Sequence, residues 1–283
     1  MPQSPGALYL CATPIGNLED ITLRTLRALR EADAVWAEDT RHTLGLLNHY
    51  DIKKPLVSCH EHNERERAEE LVAQLREGRN IAYCSDAGMP GISDPGEVLA
   101  AACYREGLPV VVLPGASAVL MAAVLSGLPC ASFAFFGFLP REKKPRREMM
   151  ARLTACPSTM LLYESPVRLP ATLKELLGEL GDRPAAVLRE LTKIHEQAAR
   201  GTLSELCEQF SEPPRGECVV AIAGLPPRET RSEDADDAAL DTALNRLLAE
   251  GFSARDAASA AAAVLGVKKK RAYQRTLELE EEE

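Results

Sequence analysis

Short, continuous apolar runs alternate with amphipathic stretches in the first part of the chain. Four such runs are typical of strands buried on both faces of a sheet. They lie at residues 7–12, 34–37, 81–84 and 110–113. Apolar residues at helical spacing predict helices over residues 21–30, 64–77 and 118–125. Helices between buried strands indicate an α/β fold with a mostly parallel sheet.

The pattern restarts after a break at Gly127, Leu128 and Pro129. Strands are expected at residues 133–138, 159–163, 185–188 and 217–223, and helices at residues 146–153, 172–180 and 203–210. The sequence therefore predicts two α/β domains, residues 1–128 and residues 129–224.

The composition changes after residue 224. Residues 225–237 are rich in Pro, Arg, Glu and Asp and are interpreted as a linker. Three short helices are expected next, at residues 239–250, 254–265 and 268–279, with Ser253 as a candidate N-cap. Tight connections between short helices indicate a helix-turn-helix-like module over residues 238–283, ending in an acidic tail.

Composition and charge limit the function classes. The net charge is -9, so nonspecific nucleic-acid binding through a globally basic surface is excluded, and RNA contact would need local basic patches. The 8 cysteines, none paired as C-x-x-C, are expected to be reduced and buried, which favours a cytoplasmic location. No secretory leader is apparent, and the longest apolar segment is too short to cross a membrane.

Familiar cofactor signatures are missing from the sequence. It contains neither G-x-x-x-x-G-K-[ST] nor G-x-G-x-x-G after the first strand, which disfavours a P-loop NTPase and a standard dinucleotide fold. His60 and His62 are two positions apart and no further histidine clusters with them, which is weak evidence for a metal, so no metal site is expected.

Three irregular loops instead follow directly after predicted strands. They cover residues 13–17, 85–96 and 114–117, and we refer to them as loops one, two and three. In parallel sheets, ligands bind where such loops meet at the carboxyl ends of strands. Loop two contains two Asp, two Ser, two Pro and three Gly among its residues, so a rigid, ligand-binding backbone is expected there.

Five motifs in this order resemble one known family. They occupy residues 13–21, 37–41, 85–96, 114–118 and 136–140. Together they closely resemble the ribosomal RNA small subunit methyltransferase I family of the tetrapyrrole methylase superfamily, over essentially the whole chain. The resemblance implies a two-domain tetrapyrrole methylase-like (class III methyltransferase) fold with S-adenosylmethionine in the cleft, and a homodimer. It also implies 2'-O-methylation of a cytidine ribose in the decoding region of 16S small-subunit ribosomal RNA.

The cofactor is expected to contact all three loops. Loop two would bind it chiefly through backbone and shape, loop one would line the other wall, and loop three would place a serine at the start of a helix. The candidates are Pro14, Gly16, Asp86, Ala87, Gly88, Pro90, Ile92, Ser93 and Ser117. Asp94 precedes Pro95, Gly96 and a helix, so helix capping is the favoured interpretation for that carboxylate.

Methyl transfer to a ribose hydroxyl requires alignment of the reacting groups and removal of one proton. Two polar clusters after strands of the second domain, residues 163–168 and 189–196, are expected to face the cleft and match the family pattern. Glu190, Lys193 and Asp39 are the candidate general bases, and the sequence does not choose among them. The lysine would need a lowered pKa to serve.

Local cations are the expected RNA contacts. One patch follows Pro140, a second begins the last helix, and two further residues lie nearer the cleft. The candidate RNA contacts are Arg41, His42, Lys143, Lys144, Arg146, Arg147, Lys268, Lys269, Lys270 and Arg271. The expected partner is small-subunit ribosomal RNA or the 30S subunit. The alternatives are a porphyrinoid methyltransferase, which would not need the basic segments, and a non-catalytic ribosome assembly factor, which would not need loop two.

Overall fold

The computed structural model describes residues 4–225, 233–265, 267 and 269–282, with side chains throughout except at residues 233–238, 263 and 280–282. The chain divides into two compact units, one ending at Gly224 and one beginning at Leu225. Within the described ranges, every helix is too short or too polar to span a membrane.

The first half of the first unit is built on a parallel sheet, as predicted. Its strands are β1 (Leu8–Cys11), β2 (Ala34–Ala37), β3 (Leu56–Ser58), β4 (Ile81–Cys84) and β5 (Val110–Leu113), in the order β3-β2-β4-β1-β5. The helices are α1 (Leu23–Glu31), α2 (Thr40–His49), α3 (Glu64–Arg76) and α4 (Glu97–Arg105). The pattern predicted neither β3, which is short and only half-buried, nor α2, for whose residues no element was expected.

Alternate residues of the central strands pack into two hydrophobic cores, one on each face of the sheet. Trp36 and Tyr83 lie on one face with side chains of α3 and α4, whereas Val35 and Ala82 lie on the other with side chains of α1. All four are fully buried. Burial on both faces explains why these strands read as unbroken apolar runs.

The second half contains a mixed sheet. Its strands are β6 (Phe133–Phe138), β7 (Thr159–Glu164), β8 (Pro184–Arg189), β9 (Gln197–Thr202) and β10 (Cys218–Ile222), in the order β6-β7-β10-β8-β9. Only the β6–β7 pairing is parallel. The helices are α5 (Ala118–Leu125), α6 (Lys143–Thr154), α7 (Leu169–Leu180) and α8 (Leu203–Gln209). The missed strand β9 is polar and lies at the sheet edge, where apolar alternation is not required.

The helix α5 joins the second half although it precedes the expected boundary at residue 128. Val119, Ala122 and Ala123 are buried against Leu161 of β7 and Val219 of β10. The chain therefore changes from one core to the other after β5, before α5 begins. The opposite face of the second sheet is covered by α6, α7 and α8.

The second unit consists of α9 (Glu233–Ala249), α10 (Ala254–Leu265) and α11 (Lys269–Glu282). Leu240, Leu244 and Ala258 contribute to its small core. Ser253 caps α10 by accepting a hydrogen bond from the Asp256 amide at 3.2 Å, as predicted. The helix α9 begins inside the expected linker, because acidic residues such as Glu233 are favourable at a helix N-terminus. Residues 226–232 of that linker lie outside the described residues.

Two further expectations need correction. Cys130 is exposed and Cys156 and Cys207 are half-buried, so the cysteines are not uniformly core residues, although all eight thiols are free. The helix α6 begins at Lys143, three residues before the predicted start, which places the basic patch within the first turns of a helix.

Candidate functional site

Loops one, two and three meet at the carboxyl edge of the first sheet, as expected for loops that follow parallel strands. Thr13 of loop one and Gly88 of loop two exchange two backbone hydrogen bonds, of 2.9 and 3.0 Å. The Thr13 hydroxyl also donates to the carbonyl of Ser85 at 3.3 Å. These contacts fix loop one against loop two.

A cavity of about 380 Å³ opens beside these loops, between the two halves of the first unit. Its size is within the range of about 300–1,000 Å³ that is usual for small-molecule sites. One wall comes from the three loops and the other from the ends of β6, β7, β8 and β10. The lining residues are Ile15, Ala87, Gly88, Met89, Ile92, Ser93, Asp94, Ser117, Ala118, Phe138, Tyr163, Glu164, Ser165, Pro166, Leu191, Glu217, Cys218 and Val219.

Loop two has a backbone that ordinary residues rarely adopt. Gly88, Gly91 and Gly96 have φ of 79°, 85° and 131°, and Ser93 has φ of 67° without being glycine. The N-cap of α4 is Gly96 and no side chain caps the helix, so the expected capping role of Asp94 is wrong. Its carboxyl group instead lines the cavity.

Asp94 lies in an acidic environment. Burial, followed by repulsion from Glu38 and Asp86, raises the pKa of Asp94 to about 7. The Asp86 carboxylate accepts a hydrogen bond from the Asp39 amide at 3.0 Å, and Glu38 accepts one from the Asp86 amide at 3.1 Å. These bonds hold the two neighbouring acids in place, so a carboxyl that exchanges its proton near neutral pH borders the cavity.

Five of the nine predicted cofactor residues line the cavity: Ala87, Gly88, Ile92, Ser93 and Ser117. The other four are absent from its lining. Asp86 tethers the start of α2, and Pro90 is buried against Gly96. Gly16 is packed on the loop between β8 and β9, because a Cβ on Gly16 would lie 2.5 Å from Lys193 Cγ. Pro14 is half-buried beside Thr13.

The predicted base Asp39 has a structural role at the start of α2. Its Oδ1 accepts a hydrogen bond from the Arg41 amide at 2.8 Å, and its carboxylate pairs with the Arg41 guanidinium. These hydrogen bonds hold the pKa of Asp39 well below its usual range. A carboxylate so stabilised is a weak base, and it does not line the cavity.

The predicted bases Glu190 and Lys193 are paired with each other. Lys193 Nζ donates to Glu190 Oε1 at 2.9 Å and to Glu217 Oε2 at 3.0 Å. The hydrogen bond from Lys193 lowers the pKa of Glu190. Burial alone would lower the pKa of Lys193, but its hydrogen bonds to Glu190 and Glu217 outweigh burial and raise it. Neither group therefore has the shift that a base requires, and only their neighbours Leu191 and Glu217 line the cavity.

Two residues at the end of β7 belong to the polar cluster that the sequence predicts to face the cleft, although they are not among the predicted site residues. Tyr163 and Ser165 both line the cavity. Between them, the buried Glu164 carboxylate accepts hydrogen bonds from the Ser165 amide, the Arg168 guanidinium and the Thr172 hydroxyl, all within 2.7 Å. This network fixes the segment that forms the cavity wall. Its position at a strand end was the available signal.

Phe138 and Glu217 also line the cavity, and the sequence reasoning selected neither. Glu217 lies directly before β10, inside the span expected as strand. No group of three or more His, Cys, Asp or Glu side chains in the described part of the chain is arranged to hold a metal ion.

The predicted RNA-contacting side chains differ in how exposed they are and in whether they already bind another side chain. Lys143, Lys144 and Arg147 are exposed on the first turns of α6. Arg146 requires correction: its guanidinium binds the Glu175 carboxylate at 2.9 Å and the Pro140 carbonyl at 3.0 Å, so it ties α6 to α7.

Of the remaining cations, Arg41 and His42 are exposed near Asp86, Arg41 being paired with Asp39. Lys269 and Lys270 are exposed at the start of α11, whereas Arg271 is half-buried there. Lys268 lies outside the described residues.

Comparisons with known proteins follow the same division of the chain. Residues 7–207 match the family described as Tetrapyrrole (Corrin/Porphyrin) Methylases, and residues 234–280 match the RsmI C-terminal HTH domain. A Halalkalibacterium halodurans protein named ribosomal RNA small subunit methyltransferase I is 45% identical over 273 residues, which cover 95% of this chain and 93% of that protein. A Thermotoga maritima protein of the same name is 47% identical over 220 residues, covering 77% of this chain and 99% of that protein.

Solved structures share the fold of the first unit. Uroporphyrin-III C-methyl transferase from Thermus thermophilus, complexed with S-adenyl homocysteine, has a TM-score of 0.54 at 22% identity, covering 76% of this chain and 97% of that one. A diphthine synthase has a TM-score of 0.59 at 18% identity, covering 77% of this chain and 90% of that one. Together with the helical second unit, these likenesses confirm the predicted fold class.

Proposed function

This chain belongs to the ribosomal RNA small subunit methyltransferase I family within the tetrapyrrole methylases, and from that membership we propose that it methylates small-subunit ribosomal RNA with S-adenosylmethionine as donor. The observation that carries the proposal is the cavity lined by loop two, in a chain that is 45% identical to a protein of that name over most of its length.

The residues of the cavity fit this donor chemically. Ile15, Ile92 and Val219 offer apolar surface to an adenine ring, while the hydroxyls of Ser93 and Ser117 suit ribose and carboxylate oxygens. Ser117 begins α5 without a side-chain capping bond, so the amides of that helix end are favourably placed for an anionic group. Asp94 lines the cavity, and the neighbouring acids Glu38 and Asp86 add negative charge near it, which is favourable for a cation.

Bound there, S-adenosylmethionine would supply an electrophilic methyl group: the bond from this methyl to sulfur breaks as the bond to the ribose oxygen forms, and the donor leaves as a neutral thioether. The chain's own contribution is alignment and proton removal. We propose that Asp94 accepts the proton of the ribose hydroxyl at its carboxylate, because it lines the cavity and its pKa lies near neutrality. The ion-paired Glu190 and Lys193 would instead hold the cavity wall in place.

The finer target that we propose is a 2'-hydroxyl of a cytidine in the decoding region, on the strength of the resemblance that all five motifs carry. Ribose-methylation mapping of small-subunit RNA from cells with and without the chain tests it. A cytidine methylated only when the chain is present supports the proposal. Transfer to a porphyrinoid but not to ribosomal RNA would favour the tetrapyrrole alternative, and undetectable S-adenosylmethionine binding in calorimetry would favour a non-catalytic assembly factor.

The RNA and a second copy of the chain are the proposed partners. Exposed Lys143, Lys144 and Arg147 on α6, and Lys269 and Lys270 on α11, are the proposed phosphate contacts. From this substrate we infer a cytoplasmic location.

A homodimer is supported by apolar side chains exposed on α5. Leu120 is 57% exposed and Val124, one turn later, is 72% exposed. Sedimentation of the purified chain tests the oligomeric state, and a Val124→Glu variant that remains dimeric would remove this surface from the proposal.

A further inference from the structure

A single aromatic ring stands at the rim of the cavity. Phe138 is the last residue of β6, lines the cavity and is 53% exposed. Its ring centre lies 5.5 Å from that of Tyr163, which forms part of the same wall. Because the ring is half-exposed at the edge of a binding cavity, it is available for contact with a ligand that extends past the rim.

The placement of Phe138 results from a bulge in β6. Phe135 pairs with Leu161 and Phe138 with Tyr163, so β6 advances three residues where β7 advances two. Gly137 permits this with a φ of 64°. If β6 were a regular strand without the bulge, side-chain alternation would direct Phe138 to the face of Phe136, into the core under α6 and α7. The bulge redirects the ring toward Tyr163 and the cavity instead.

Exposed cations follow the ring closely. Arg141, Lys143, Lys144 and Arg147 are all exposed within the next nine positions of the chain. None of these four cations forms an ion pair with another described residue. Arg146, which lies among them, is paired with Glu175. An exposed ring next to unpaired cations is the combination that binds nucleic acid, with the ring stacking on a base and the cations contacting phosphates.

The size of the cavity limits which ligand could contact the Phe138 ring. Its volume of about 380 Å³ is near the lower end of the usual range for small-molecule sites, so one donor molecule fills it. The substrate nucleotide must then be received at the rim. A base that is unstacked when its nucleotide is received there needs a surface on which to stack, and aromatic side chains provide one.

We propose that Phe138 is the stacking platform for the base of the nucleotide that is methylated, or of its immediate neighbour, with the cations of α6 holding the adjoining phosphates. The proposal rests on the proposed function and adds a nucleobase subsite to it. Stacking accepts any base, so the subsite positions the nucleotide and leaves base identity to other contacts.

The test compares Phe138→Ala with Phe133→Ala, a matched control at the other end of the same strand. Phe133 is 36% exposed and does not line the cavity. With small ribosomal subunits from cells lacking the chain, Phe138→Ala should lower kcat/KM roughly 10- to 100-fold. The affinity for S-adenosylmethionine and the Tm should stay at wild-type values, and Phe133→Ala should resemble wild type throughout. Phe138→Trp should restore most of the activity.

The tryptophan variant also provides a direct signal. The chain has one tryptophan, Trp36, which is fully buried in the first half. Emission from Phe138→Trp should therefore be quenched by the RNA substrate when base and indole stack, and emission from Phe133→Trp should not.

Three outcomes would overturn the proposal. The first is a wild-type kcat/KM in Phe138→Ala. The second is a loss of S-adenosylmethionine affinity in that variant, which would assign the ring to the cofactor. The third is tryptophan emission from Phe138→Trp that the RNA substrate does not quench. A wild-type chain that neither binds the donor nor methylates subunits would instead refute the proposed function itself, so the two failures are distinguishable.

Discussion

Replacing Asp94 with asparagine removes a carboxyl group that lines the cavity and has a pKa of about 7. If this group accepts the ribose proton, only its ionised form is active. With a pKa of 7, about a tenth of the groups are ionised at pH 6 and about nine tenths at pH 8. The wild-type kcat/KM should therefore rise about tenfold over this interval. Asp94→Asn should lose roughly a hundredfold or more at pH 8 and show no inflection near pH 7.

Ionisation of Asp94 should raise the activity but lower the stability of the folded chain. Burial disfavours the carboxylate, so the folded chain holds this proton more tightly than the unfolded chain, whose pKa is near 3.8. The contribution of Asp94 to stability is therefore lost as the pH rises from about 4 through about 7. Because the group is partly open to solvent, we expect Asp94→Asn to be more stable than wild type at pH 8 by only about 1–2 kcal/mol. The difference should shrink toward pH 4.

The assay is methyl transfer from labelled S-adenosylmethionine to small subunits between pH 6 and 8.5, with denaturant unfolding of the same proteins. Asp86→Asn serves as a diagnostic variant, because removing a neighbouring negative charge should move the wild-type inflection below pH 7. A wild-type profile that is flat across pH 7, or an inflection that persists in Asp94→Asn, would refute the role of this carboxyl.

Three further predictions follow from other parts of the structure. Gly88→Val should abolish S-adenosylmethionine binding in calorimetry, because a branched side chain at a φ of 79° distorts loop two; Gly107→Val, at a φ of 65° with open space around it, should bind normally. Equal affinities would exclude loop two as the binding element. Deleting residues 236–283 should weaken methylation of small subunits and spare donor affinity, since the second unit has its own core; undiminished methylation would show it dispensable. Arg146→Ala should lower the unfolding free energy by about 1–3 kcal/mol, because it leaves Glu175 unpaired, whereas Lys143→Ala should reduce RNA affinity and its salt dependence without loss of stability. If Arg146→Ala lost RNA affinity but not stability, and Lys143→Ala lost stability but not RNA affinity, the different roles given to these two cations would be contradicted.

The sequence predicted most of the fold because its signals are local. Buried parallel strands such as β2 and β4 appear as unbroken apolar runs, and α10 is delimited by Ser253 and a glycine-rich break. The strand β9 could not be found this way. Its polar sequence is held in the sheet by pairing to the preceding strand β8, and this backbone pairing leaves no trace in the apolar pattern.

The site was predicted at the level of loops and less well at the level of chemistry. Loop two was identified from composition, because glycine, proline and aspartate together are unusual directly after a strand. The pKa of Asp94 depends on Glu38 and Asp86, and the weakness of Asp39 as a base depends on the hydrogen bonds of its partner Arg41. Such partners become visible only when the chain is folded. The bulge that turns Phe138 outward is likewise absent from an apolar pattern of uniform aromatic residues.

The attachment of α5 to the second sheet determines how the first unit comes apart. This helix follows β5 in the chain, yet its buried side chains Val119, Ala122 and Ala123 belong to the core of the other half. Pulling α5 away with β5 would strip these residues of their packing, at a cost of about 1–2 kcal/mol for each aliphatic side chain exposed. If the two halves separate, α5 should therefore stay with the second sheet, and the change of backbone conformation should fall on loop three, which joins β5 to α5 and contributes Ser117 to the cavity wall.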